Sequence, residues 1–196
     1  MLYDKNIREP LFDFLEEYYG KIRIIEEKQT GKSRADVVMV TETALYGIEI
    51  KSDADTYTRL KRQVKDYNLY YDYNYVVVGT SHAQHIGEHV PKFWGIITVE
   101  DAVGEVDFYV LRQPEKNPKC KWQRKISLLW RPELAHIQEL NGMPGYKNKS
   151  KKFVADTILE RVPEEILSRQ MNEELFQRDY TEIEAVIKNY RKGRKR

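Results

Sequence analysis

Asp36 opens one apolar run of this 196-residue chain, Asp36-Val-Val-Met-Val-Thr41, and Glu49 and Lys51 close the next, Leu45-Tyr-Gly-Ile-Glu-Ile-Lys51. Side chains alternate faces along a strand, so Glu49 and Lys51 project together while Ile48 and Ile50 point the other way. Two apolar runs with a short link between them read as a hairpin, although Glu42-Thr43 is not a strong turn dipeptide. With the turn centred between Glu42 and Thr43, Val40 pairs with Leu45 and Asp36 falls opposite Glu49. Asp36, Glu49 and Lys51 then share one face of two adjacent strands. Facing carboxylates disfavour such a pairing, and a divalent cation between them turns the repulsion into a ligand set. Mg²⁺ takes one or two carboxylates together with water and phosphate oxygens, and the backbone carbonyl of Ile50 supplies a further oxygen. Such an ion polarises a phosphoryl oxygen and lowers the pKa of an attacking water. Lys51 adds positive charge where it develops. A lone Glu-x-Lys also marks an ordinary solvent-facing strand; the aspartate thirteen residues before Glu49 is what sets this pattern apart.

The surrounding periodicity supplies the scaffold. Ile7, Leu11, Phe14, Leu15 and Tyr18 recur at helical spacing over residues 4–19, and Gly20 supplies a stop. Residues 22–26 read as a short strand and residues 28–34 as a polar loop. Leu60, Val64, Tyr67 and Tyr71 mark one face of a helix over residues 55–71, followed by a buried strand at 75–79. Segments 94–99 and 106–111 form a second hairpin, and beyond Pro132 the chain reads as short helices broken by Asn141-Gly-Met-Pro-Gly145 and Pro163. The expectation is an α/β protein with a C-terminal helical extension. Residues 1–131 form its core and residues 132–196 the extension, which ends in a basic tail.

Composition sets bounds on function. Hydrophobic residues make up 41% and aromatics 12%, which marks a globular chain. No apolar run is long enough for a membrane span, the first residues do not read as a signal peptide, and Cys120 is the sole cysteine. A cytoplasmic protein with no membrane partner is expected. Net charge is only +2, but six basic residues and no acid lie between Lys188 and Arg196, and four lysines lie between Tyr146 and Lys152. Such patches suit phosphate backbones, as they also suit solvated tails. Lys28, Lys32 and Arg34, just before Asp36, are open to the same two readings.

The arrangement Arg34-Ala-Asp36, then Gly47-Ile-Glu49-Ile-Lys51-Ser-Asp53, resembles the PD-(D/E)xK nuclease superfamily. The wider stretch is similar to a group of small bacterial single-domain endonucleases assigned to it. That likeness rests on Glu49-Ile-Lys-Ser-Asp-Ala-Asp-Thr56, Arg59-Leu60, Gln63, Tyr67, Val90-Pro-Lys-Phe-Trp-Gly95 and Leu128-Leu-Trp-Arg131, within residues 4–140. It implies a restriction-endonuclease-like core, with a mixed sheet of four to five strands flanked by helices. Asp36, Glu49 and Lys51 are then the signature residues, with Ala35 in place of the usual proline. The resemblance also implies an acid from the first helix, for which Glu9 is the first choice and Glu16 and Glu17 the competitors. Gln63 and Tyr67 match a Gln-x-x-x-Tyr pattern on the helix after Glu-x-Lys, where Gln63 would bond a phosphate or a metal-bound water and Tyr67 would pack beneath it. Helix surface and a core tyrosine explain the same pair equally well.

Other features carry less. His82, His85 and His89 have spacings a zinc site uses, but Gly87 and Pro91 break the helix they would need. Tyr67, Tyr70, Tyr71, Tyr73 and Tyr75 fit core packing better than base stacking. The sequence therefore leads to the expectation of a Mg²⁺- or Mn²⁺-dependent nuclease, acting on DNA ahead of RNA. Asp36, Glu49, Ile50 and Glu9 would hold the metal, with Lys51 and Gln63 assisting, in a possible homodimer. The competing expectation is a nucleic-acid-binding or regulatory module on the same fold without turnover.

Overall fold

The computed structural model describes residues 4–179 apart from 54, 103 and 104. The basic tail at 188–196 lies outside the described residues. Helix α1 (Asp4–Tyr19) leads into strands β1 (Arg23–Thr30), β2 (Ser33–Val40) and β3 (Leu45–Lys51). Helix α2 (Leu60–Tyr70), entered through a 3₁₀ turn at Tyr57–Arg59, connects to β4 (Tyr73–Gly79). Short helices α3 (Thr80–Ala83) and α4 (Ile86–His89) lead to β5 (Gly95–Ala102) and β6 (Glu105–Arg112). Helices α5 (Trp122–Lys125), α6 (Arg131–Leu140), α7 (Lys151–Arg161) and α8 (Glu164–Gln177) follow.

All six strands join one mixed sheet in chain order. The pairs β3–β4 and β4–β5 are parallel, and the other three are antiparallel. The sheet therefore exceeds the expected four to five strands. Each apolar run lands beside its predecessor, and β1 runs on through Lys28–Thr30, a stretch that reads as loop by polarity alone. Thr30 pairs with Ser33 across Gly31 and Lys32, and Gly31 adopts φ +63°, the positive φ that such two-residue hairpin turns require. The observed β2–β3 register matches the expected one, with Val40 opposite Leu45 and Val37 opposite Ile48. The link holds because Thr41 and Ala44 close on each other, Thr41 N donating to Ala44 O at 3.0 Å.

Each sheet face is covered. Ile7, Leu11 and Leu15 of α1 pack on Val37, Met39, Ile48, Ile50, Val77 and Ile97. On the other face, α2 and the C-terminal helices pack on Val38, Val40, Leu45, Val76 and Val78. Burial of each such side chain contributes about 1.5–3 kcal/mol. The expected boundary at 131/132 falls at the start of α6. Leu134, Ile137, Val154, Ile158, Leu167 and Met171 share one core with the sheet.

The tyrosine cluster belongs to this packing. Tyr67, Tyr71 and Tyr75 are fully buried. Tyr71 lies across β3 so closely that a Cβ on Gly47 would stand 2.2 Å from its ring. His82 and His89 both contact the Tyr57 ring, and His85 is exposed beside Glu88. Among the described residues, no three His, Cys, Asp or Glu side chains converge as a metal-holding group.

Candidate active site

The polar centre lies where β2 and β3 part company. The paired register stops at Val37–Ile48, and one residue further on the Asp36 carboxylate replaces the ladder, with Ile50 N donating to Asp36 Oδ2 at 2.9 Å. Across the other edge of β2, Glu27 adopts φ +52°, the one positive φ among the described non-glycine residues. Such a conformation costs a β-strand residue of order 1–3 kcal/mol and persists only where surrounding contacts hold it. Here they do: Arg8 Nη2 donates to Glu27 Oε1 at 2.7 Å, and Arg34 pairs with the same carboxylate. The distortion also breaks strict alternation along β2, because Ala35 shares the core cluster of Val38 and Val40.

Glu49 is 1% exposed and Lys51 4%. The Lys51 ammonium donates to Glu49 Oε1 at 2.5 Å, Gln63 Nε2 donates to the same oxygen, and Tyr67 donates to Oε2 at 2.5 Å. Tyr67 in turn accepts the Asp36 amide at 3.2 Å. Its hydroxyl is held protonated well above the usual range by burial and by the Glu49 and Asp36 charges. A carboxylate can only accept, so the Gln63 amide must turn its NH₂ toward Glu49. That leaves Gln63 Oε1 buried without a partner. Asp36 is pushed up to about 7, first by burial and then by the Glu49 charge, against the Ile50 amide, Lys51 and Arg8. Both effects favour a proton or a cation beside it.

Asp36, Glu49, Lys51 and Gln63 line a cleft of about 530 Å³ that also includes Asp4, Arg8, Glu27, Lys32, Arg34, Ile50, Arg59 and Arg62, with Tyr67 behind it. Asp36, Glu49, Ile50, Lys51 and Gln63 are thus brought together. Glu9 is not: it is exposed and does not line the cleft. At about 100° per residue it stands about 160° from the centre of the Ile7–Leu11–Leu15 stripe that faces the sheet. The same phase puts Asp4 and Arg8 on the sheet side, and α1 sends those two to the cleft. Arg8 Nη1 donates to the Asp36 carbonyl at 3.3 Å, and its Nη2 stands 3.7 Å from Asp36 Oδ1. Helical phase was therefore the available signal for Arg8 and Asp4. Nothing local in the sequence signals Glu27, whose role depends on its positive φ within β1.

The three basic residues just before Asp36 divide between two places. Lys32 and Arg34 reach the cleft. Lys28 instead lies over the Trp130 ring, 5.7 Å from its centroid.

A family model described as Bacteriophage P4 protein cII matches residues 2–195. No curated protein matches the sequence. Among solved structures, Pyrococcus furiosus SfsA in complex with Ca²⁺ is similar at 13% identity with a TM-score of 0.36. That alignment covers 60% of this chain and 63% of that one, so the chain spans less than two thirds of that relative. A likeness so slight carries no argument about this site.

Proposed function

We propose that this chain, which belongs to the bacteriophage P4 protein cII family, is a Mg²⁺- or Mn²⁺-dependent nuclease of the PD-(D/E)xK type on a restriction-endonuclease-like core, acting on DNA. The observation that carries the proposal is the meeting of Asp36 and Glu49 at the parting of β2 and β3, with Lys51 on Glu49. Family membership brings no reaction with it. The donor set fits a hard cation: two carboxylates, the Ile50 backbone directly after Glu49, and an orphaned oxygen on Gln63. Asp36 and Glu49 would hold the ion, and Gln63 Oε1 would accept from a water bound to it.

When bound, the cation supplies Lewis-acid polarisation of the phosphate and a water of lowered pKa. The chain's own groups do the rest. Tyr67 and Gln63 fix the Glu49 carboxylate by direct hydrogen bonds, so the donor is oriented before any ligand arrives. Lys51, released from Glu49, presents its ammonium to the non-bridging oxygens as charge grows on them. Arg59, Arg62 and Lys32 at the cleft wall attract the strand.

One observation favours the reading without turnover. Both Glu49 oxygens already have donors, so the cluster is satisfied as a purely structural network. A time course on supercoiled plasmid, single-stranded DNA and RNA, with Mg²⁺ or Mn²⁺, separates the two. Metal-dependent cleavage that disappears in Asp36→Ala and Lys51→Ala is expected. Wild type that cuts no better than these variants would sink the nuclease reading, and preference for RNA would reassign the substrate.

A further inference from the structure

Beside the cleft, on the α2 side, runs a second groove of about 830 Å³. Its wall carries Lys28, Lys32, Arg62, Lys65, Arg124 and Lys151, against the single acid Asp66. That acid is already engaged, since Ser33 Oγ donates to it at 2.6 Å. Among the described residues, Lys32, Arg62, Lys65 and Arg124 are exposed and have no ion-pair partner. The groove and the cleft share Gln29, Lys32 and Arg62, so the two adjoin along one continuous wall.

The groove is preorganised. Arg178, fully buried, donates to both Glu133 oxygens at 2.6 Å and lies 4.1 Å from the centroid of the Trp130 ring. That stack fixes Trp130, which lines the groove with Leu69 and Tyr70. Burial first, then the Arg178 and Lys151 charges against that of Glu133, lowers Lys28 to about 8, so like charges repel one another at this wall. Such self-repulsion weakens the fold and is relieved by a polyanion. A different groove, beside Asp72 and Lys125, presents Glu42, Glu164, Glu165 and Glu173 and has no such character.

We propose that this basic groove binds the phosphate backbone of the DNA whose neighbouring phosphate enters the Asp36–Glu49 cleft, with Lys65 and Arg124 as contacts remote from the reacting groups. The direction of the strand, from the groove across Lys32 and Arg62 to the cleft, rests on the nuclease reading. Binding in the groove does not, because it needs no metal.

The test is equilibrium binding of a fluorescein-labelled DNA duplex by the full chain in EDTA, followed as a function of salt. Each lost phosphate contact flattens the slope of log K against log salt by about 0.9 on duplex DNA. Lys65→Ala combined with Arg124→Ala is therefore expected to flatten it by about 1.8 and to weaken binding regardless of sequence. Lys92→Ala combined with Lys119→Ala removes the same charge from exposed positions outside the groove and is expected to leave the slope unchanged. The proposal is overturned if the two double variants behave alike or if wild-type binding lacks salt dependence. It is equally overturned if polyglutamate displaces the duplex at lower charge concentration than unlabelled DNA does, which would assign the groove to an acidic protein. A chain that passes this test but cuts nothing keeps the groove and loses the nuclease reading.

Discussion

Asp36 carries the sharpest conflict between stability and use. Burial and Glu49 raise its folded-state pKa from an ordinary 3.8 to about 7. Between those values the folded chain holds a proton that the unfolded chain has released. The native state is thus favoured at low pH, and that advantage is lost at about 1.4 kcal/mol per pH unit as pH rises toward 7. Asp36→Asn removes the penalty while leaving an oxygen for the Ile50 amide. The substitution is expected to raise the urea midpoint at about pH 8, to leave it unchanged at about pH 4, and to abolish cleavage. Equal midpoints at both pH values would show that Asp36 carries no buried-charge penalty. Tyr67 bears on the same balance. By donating to Glu49 and accepting the Asp36 amide, it ties the two strands at the point where their backbone ladder ends.

At the scale of elements, the C-terminal helices are fastened to the sheet by polar as well as apolar contacts. Arg178, just past α8, reaches Glu133 in the first turn of α6 and donates to the Leu128 carbonyl at 3.0 Å. Removing one partner of a buried pair strands the other charge, at a cost of about 3–5 kcal/mol. Arg178→Ala is therefore expected to lower the unfolding free energy by that amount in urea titration. A loss below about 1 kcal/mol would place the pair with solvent-exposed bridges. These helices were legible only as helices, because apolar spacing says which face is buried and not what it is buried against. The β2–β3 register was fully legible, since hydrophobic alternation and a four-residue link leave one pairing that keeps Val37, Met39 and Ile48 inside. The β1–β2 hairpin was not. Its strand ends carry Lys28, Gln29, Ser33 and Arg34, so polarity masks the pairing and only Gly31 hints at the turn. The choice of Glu9, which the structure leaves outside the cleft, has a different origin. It came from the resemblance, whereas the phase of α1 already turned that side away from the sheet.

In the whole molecule, one mixed sheet with helices on both faces leaves its reactive-looking residues at the seam between an antiparallel and a parallel half. There β3 pairs antiparallel with β2 and parallel with β4. Glu49 and Lys51 come from the shared strand, Asp36 from one neighbour, Gln63 and Tyr67 from the crossover helix, and Arg8 from the opposite layer. The strand residues and the Gln-x-x-x-Tyr pattern of α2 named the centre of this cluster, and the packing of α1 on the opposite face adds Arg8. The account stands on Asp36 and Glu49 holding a divalent cation together. Crystals grown with Mn²⁺ and measured at its absorption edge test that most directly. The account predicts an anomalous peak about 2.0–2.2 Å from oxygens of both carboxylates, with Lys51 displaced from Glu49. Mn²⁺ bound at other acids, with the Lys51–Glu49 pair intact at full metal concentration, would contradict it.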